Sequence, residues 1–264
     1  MARVETTRLT RGIRLLRILA VVLRLYLVAR IIAARRSPAA RSRLIEPCAR
    51  RLLRAIALEV RPRGHIPAPG APLLLVANHI SWLDTYALNT VSAARFVAKS
   101  EVYGWPIVGT IAAQFGTFFL ERGRYRAAAR TVAALADALR AAQPVAVFPE
   151  GTTSYGECVR HFYPAMFQAA VLSGARVQPV AIRYRDADGA PTEAAAYVGD
   201  MSLLESLRVL LRQPRLVADL VFCAPLDATH RTRKQLAIEA RSAIVTALGL
   251  TQGAEQPSPQ RRAA

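Results

Sequence analysis

A histidine followed five residues later by an aspartate, in Asn78-His79-Ile80-Ser81-Trp82-Leu83-Asp84, closes an apolar run from Leu73 to Ala77. Such a pair suits proton transfer. A carboxylate hydrogen-bonded to one ring nitrogen of an imidazole fixes its tautomer and stabilises the protonated ring, leaving the other nitrogen to take a proton. On a regular helix, residues five apart point about 140° away from each other. The contact therefore requires His79 to lie in the loop before the helix that carries Asp84. Ser81 offers a competing assignment, because serine three residues before Asp84 reads as a capping box that starts a helix at Trp82 and gives Asp84 a purely structural task.

Two further stretches carry groups able to bind or react. In Pro144 to Gly156 an apolar strand ends in Phe148-Pro149 and opens into Glu150-Gly151-Thr152. Glycine there lets backbone approach a ligand, threonine offers a hydroxyl, and a turn with free amides suits an anion; an ordinary strand-to-loop turn has the same composition. In Gly116 to Gly123 a strand ends in Glu121-Arg122, where a guanidinium can clamp phosphate through two parallel hydrogen bonds. Gly151, Ser154 and Gly156 place a serine one residue out of step with the G-x-S-x-G nucleophile elbow. Ser154 working with a histidine, as in a lipid esterase, stays as the alternative from another class. Neither a Walker A nor a dinucleotide fingerprint is present.

The elements that must position these groups follow from periodicity. Short apolar runs at 72–77, 95–98, 117–120, 144–148, 177–182, 195–198 and 216–223 read as strands. Helical spacing marks 82–91, 124–142, 164–173, 201–212 and 231–248. Strands this continuously apolar, alternating with helices, predict an α/β fold with a mostly parallel central sheet and helices on both faces. Ligands then meet the loops at the carboxyl ends of the strands, where His79 and Glu150 fall. The Pro/Gly-rich stretch 61–70 reads as a linker. It divides residues 1–64, a membrane-anchoring segment, from the α/β domain at 65–250, and residues 251–264 read as a disordered tail.

The formal net charge is +18, and residues 1–64 hold sixteen arginines against only Glu5, Glu46 and Glu59. Long aliphatic residues are interleaved with those arginines, unlike a hydrophilic nucleic-acid-binding arm. On a helical wheel Arg17, Arg24 and Arg35 share one arc, away from Leu15, Ile18, Val22, Leu25 and Ala29. The longest uncharged run, Ile18 to Leu23, is far short of the roughly 20 residues needed to span a bilayer. The segment reads as an interfacial helix on an anionic membrane surface, or alternatively as a basic amphipathic helix packed on its own domain. A basic membrane-binding protein without catalysis is the non-enzyme alternative. Cys48, Cys158 and Cys223 have no paired spacing, which argues for a reducing compartment. With His65, His79, His161 and His230 they form no zinc pattern, so no metal is expected.

Taken together and in order, "NHISWLD" (78–84, an H-x4-D motif), "GTFFLER" (116–122), "FPEGTTS" (148–154) and "VQPVAI" (177–182) resemble the glycerolipid acyltransferase family. The likeness is to the bacterial 1-acyl-sn-glycerol-3-phosphate acyltransferases, with lyso-ornithine-lipid acyltransferases as relatives. The resemblance implies transfer of a fatty acyl group from an acyl-CoA or acyl-carrier-protein thioester to the free hydroxyl of a lysolipid. It implies no acyl-enzyme and no cofactor beyond the thioester co-substrate. By matching position, His79 is the general base and Asp84 its orienter, while Arg122, Glu150 and Gly151, with Thr152, line the acceptor headgroup site. Lysophosphatidic acid is the expected acceptor and a lyso-ornithine or other lysolipid the alternative. The expected location is the cytoplasmic face of the inner membrane.

Overall fold

The computed structural model describes residues 5–32, 38–68, 71, 73–121 and 125–251. Two N-terminal helices, α1 (Arg8–Leu27) and α2 (Pro38–Ala55), precede seven strands: β1 (Leu58–Gly64), β2 (Leu73–Ala77), β3 (Arg95–Lys99), β4 (Phe118–Leu120), β5 (Val145–Val147), β6 (Arg176–Arg185) and β7 (Leu216–Phe222). Between and after them lie α3 (Leu83–Asn89), α4 (Val108–Gln114), α5 (Tyr125–Arg140), α6 (Gln168–Ser173), α7 (Leu203–Arg212) and α8 (Arg233–Leu248).

The strands form one sheet in the order β1-β7-β6-β2-β5-β3-β4. From β6 to β4 all neighbours are parallel, whereas β7 runs antiparallel to β6, and β1 pairs parallel with β7. The carboxyl ends of β2, β5, β3 and β4 therefore point the same way, which is the arrangement expected from the sequence. Strand β2 is buried along its whole length. Leu75 and Ala77 join a core that includes Ile18, Leu52, Leu83 and Leu210; Leu74 and Val76 join another that includes Leu135, Phe167, Leu236 and Ile244. Helices thus cover both faces, and this is why the run lacks polar alternation.

The structure departs from the sequence reading at four places. The stretch read as a linker contributes its first residues to β1, whose pairing with β7 begins at Leu58, so the sheet starts inside the expected anchoring segment. Only Leu58 of that strand is buried, and Pro62 can donate no ladder hydrogen bond, as befits a sheet edge. Residues 195–198 are not a strand: Tyr197 N–H donates to Ile80 O at 2.9 Å, tying the segment to the loop after β2 rather than to a ladder. The short helix α4 has no counterpart in the periodicity.

The fourth departure concerns α1. Most of the side read as facing lipid faces the protein: Ile18, Leu25 and Ala29 are buried and Val22 packs on the core, while Leu15 is exposed. A second apolar stripe, Leu9, Ile13, Leu16, Leu23 and Leu27, is exposed instead. The start of the helix is fastened by Arg14, whose guanidinium donates to Gln213 O and Pro214 O at 2.6 and 2.8 Å. Among the described residues no helix is long and apolar enough to cross a membrane. Residues 252–264 of the expected tail lie outside the described residues, as do 69, 70 and 72 of the stretch read as a linker and its border.

Candidate active site

Strand β2 ends because its ladder is taken over by a side chain. Ala77 is the last residue of β2 to pair with β6. Asn78 then sends Nδ2 to Ile182 O at 3.0 Å and accepts Ile182 N–H on Oδ1 at 2.8 Å. A carboxamide carries the same donor and acceptor as a peptide group, so Asn78 satisfies β6 while the backbone turns out of the sheet. His79 follows in loop conformation, and α3 begins at Leu83. This meets the geometric condition set by the spacing of His79 and Asp84.

Asp84 is fully buried and accepts four hydrogen bonds. Its Oδ2 takes His79 Nδ1 at 2.8 Å, Ile80 N–H at 2.8 Å and Ser81 N–H at 2.9 Å, and its Oδ1 takes the Tyr184 hydroxyl at 2.7 Å. The reciprocal capping box does not form. Ser81 Oγ accepts Leu83 N–H, and no side chain caps α3 at its N-cap, Trp82. Asp84 instead holds the loop and the imidazole with the same oxygen. Because an ionised carboxylate only accepts, Nδ1 carries the ring proton and Nε2 carries the lone pair. Nε2 makes no hydrogen bond with any described residue, and the side chain is 20% exposed. The other face of the ring is set by Phe148, stacked at 3.9 Å between centroids and 10° between planes.

The loop after β5 grips the histidine backbone from the other side. Glu150 is buried, with Oε1 accepting His79 N–H at 2.8 Å and Oε2 accepting Arg160 N–H at 2.9 Å. Both oxygens are turned inward to backbone amides. Burial pushes its ionisation up from 4.5 to about 6, outweighing the two amides, which pull the other way. Ser154 N–H donates to His79 O at 2.8 Å. Gly151 adopts φ 68, a left-handed turn residue, and Thr152 is exposed beside it.

Of the expected site residues, the structure therefore brings His79, Asp84 and Glu150 into one hydrogen-bonded unit and places Gly151 and Thr152 on the adjoining loop. Arg122 lies outside the described residues. Ser154 is buried; its Oγ lies 3.4 Å from His79 O and accepts Gly156 N–H, so its hydroxyl is engaged with backbone and not with an imidazole nitrogen. The esterase alternative loses its nucleophile on that ground. Among the described residues no group of three or more His, Cys, Asp or Glu side chains could hold a metal ion. Two residues of the unit went unread in the sequence, Phe148 as a ring partner and Tyr184. The signal for Tyr184 is its phase: with Val180 and Ile182 it lies on the β6 face that packs against Leu83, and a phenol at a core position needs a partner for its hydroxyl.

Comparison with known proteins adds to this geometry. A family model described as Acyltransferase matches residues 57–183. A lyso-ornithine lipid O-acyltransferase from Pseudomonas aeruginosa is 38% identical over 225 residues, covering 85% of this chain and 84% of that protein. A 1-acyl-sn-glycerol-3-phosphate acyltransferase from Neisseria meningitidis is 36% identical over 197 residues, 73% of this chain and 75% of its own. The crystal structure of the 1-acyl-sn-glycerophosphate acyltransferase PlsC from Thermotoga maritima has the same fold, with a TM-score of 0.63 and 21% identity, over 92% of this chain and 100% of that one.

Proposed function

The chain belongs to the acyltransferase family, and from that premise we propose that it transfers a fatty acyl group from a thioester, acyl-CoA or acyl-carrier-protein, to the free hydroxyl of a lysolipid. The observation that carries the mechanism is the pairing of His79 Nδ1 with Asp84 Oδ2 at 2.8 Å, which leaves Nε2, at the carboxyl end of the sheet, without a hydrogen bond to any described residue. An alcohol is a weak nucleophile at neutral pH, and a positioned base supplies about 10²–10⁴-fold by taking its proton during attack. In this scheme Nε2 takes the hydroxyl proton as the oxygen bonds to the thioester carbonyl carbon. The tetrahedral intermediate then collapses with cleavage of the carbon–sulfur bond, and the imidazolium returns the proton to the departing thiolate. Asp84 stabilises the imidazolium in between. Gly151, Thr152 and Arg122 are assigned to the acceptor headgroup, and Glu150 shapes that loop from beneath.

The acceptor is a lysolipid whose headgroup carries a phosphate or a carboxylate: 1-acyl-glycerol-3-phosphate in the first reading, a lyso-ornithine lipid in the second. The second is favoured by the 38% identity to a lyso-ornithine lipid O-acyltransferase over most of both chains. Incubation of the purified protein with a panel of both lysolipids and both thioester carriers, read by mass spectrometry of the products, decides acceptor and donor together. No acylated product from any combination would refute the proposal.

The membrane partner is assigned to the exposed stripe of α1. Leu9, Ile13, Leu16, Leu23 and Leu27 form its centre, with exposed Arg17 and Arg24 on one flank and Arg8 on the other. Apolar residues flanked by guanidinium groups fit a helix lying in the headgroup region of an anionic bilayer, on the cytoplasmic face where the donor thioesters are. Both acyl chains then enter from the lipid side.

A further inference from the structure

We propose that Tyr184 is a positioning residue for acyl transfer, its hydroxyl anchoring the Asp84 carboxylate to the sheet in the orientation that serves His79. The proposal rests on the assignment of His79 as base.

Asp84 Oδ2 receives three donors, and all three come from residues 79–81, the loop that immediately precedes the aspartate. The backbone of that loop is held by Glu150, Ser154 and Tyr197, but none of these contacts reaches the Asp84 carboxylate itself. Among the described residues the donor from outside is Tyr184, 100 positions away, bonded to Oδ1 at 2.7 Å. Tyr184 sits in the part of β6 that runs beyond the end of β2, paired with Ala218 of β7, and its side chain is 2% exposed. Two residues before it, Ile182 holds Asn78 through both backbone groups. The extension of β6 thus grips the loop at both ends, Asn78 before the histidine and Asp84 after it. Burial, and secondarily the charge of Asp84, push the phenol well above its ordinary ionisation range, so the hydroxyl remains a donor at working pH.

A core tyrosine that merely satisfies a neighbouring carboxylate would show the same distance. The two roles differ in what its removal changes. A positioning role acts on the reacting histidine through Asp84, so loss of the hydroxyl slows turnover and leaves substrate affinity alone. A structural role lowers the melting temperature without that split.

The test compares wild type, Tyr184→Phe, Asp84→Asn and the double variant, using the acceptor and donor that the product panel selects. Tyr184→Phe keeps the ring that fills the core. It is expected to lower kcat about ten- to hundredfold with both KM values within about twofold of wild type, and in the Asp84→Asn background it is expected to add less than about a twofold loss, because interacting residues are not additive. Placing 4-aminophenylalanine at 184, which returns a donor to the same point, restores most of kcat. Wild-type kcat in a folded Tyr184→Phe, a raised KM with kcat intact, or a full second loss in the Asp84→Asn background each overturns the proposal. If the single variant does not fold, the 4-aminophenylalanine variant is read in its place, and a loss of kcat of more than about tenfold in that folded protein overturns the proposal. The proton on His79 Nδ1, followed in the far-downfield NMR spectrum, supplies a readout that needs no substrate: it is expected to broaden or vanish in Tyr184→Phe, and an unchanged resonance contradicts the role. Turnover by His79→Ala would instead remove the base assignment.

Discussion

Glu150 Oε1 accepts the backbone N–H of His79 at 2.8 Å, so a buried carboxylate on the loop after β5 holds the loop after β2. The contact joins the second sequence signal to the first by way of the backbone, and it leaves the imidazole free for Asp84 and Phe148. The cost of burying the carboxylate is visible in the raised ionisation of Glu150, about 6 in the fold against 4.5 ordinarily.

That shift sets a pH dependence with a definite sign. A carboxyl group whose folded value is raised favours folding while protonated. Its contribution is full below about pH 4.5 and is lost as pH rises through about 6, a change on the order of 2 kcal/mol. Glu150→Gln is neutral throughout and removes the effect. Urea unfolding from about pH 4 to about pH 7 should show wild type losing about 2 kcal/mol relative to Glu150→Gln, most of it between about 4.5 and 6. A difference that does not change with pH would contradict the assignment.

Asp84→Asn keeps an oxygen able to accept the Ile80 and Ser81 amides but removes the charge that stabilises the imidazolium. Turnover is expected to fall about a hundredfold or more, while the unfolding free energy falls by about 1–2 kcal/mol. Kinetics and a melting curve on the same preparation check this. Loss of stability large enough to account for the lost activity would return Asp84 to a purely structural role.

Ser154→Ala removes a buried hydroxyl that serves backbone groups. Acyl transfer should stay within about threefold of wild type, with a stability cost of about 1 kcal/mol. A serine-directed fluorophosphonate should leave Ser154 unmodified. Modification of that residue with loss of activity would revive the esterase reading.

Leu16→Asp with Leu23→Asp changes two exposed residues of α1 and should leave the melting temperature nearly unchanged. Burying a leucine is worth about 1.5–3 kcal/mol, so binding to vesicles containing anionic lipid should weaken by more than about tenfold in a sedimentation assay. Binding equal to wild type would show that another surface meets the bilayer.

The sequence carried the parts of this architecture whose causes are local. The run Leu73 to Ala77 is apolar throughout because β2 lies between two helical layers, and that is readable without a structure. The spacing of His79 and Asp84 reveals their contact because a single loop and the first turn of α3 bring them together. Tyr184 was not legible as a partner, since 100 residues and the pairing of β6 beside β2 separate it from Asp84. Strand β1 was missed because an exposed edge tolerates Arg61, Pro62 and Arg63, residues that elsewhere signal a loop. Helix α1 misled for a different reason. It has apolar residues on two sides, and periodicity alone does not say which side packs on Leu52 and Leu211 and which stays open.

The central claim is that Nε2 of His79 takes the proton of the acceptor hydroxyl, and the most direct measurement is the turnover of purified His79→Ala with a melting curve alongside. The account predicts a fall of at least about a hundredfold in a protein that melts close to wild type. Acyl transfer at the wild-type rate by that folded variant would contradict it.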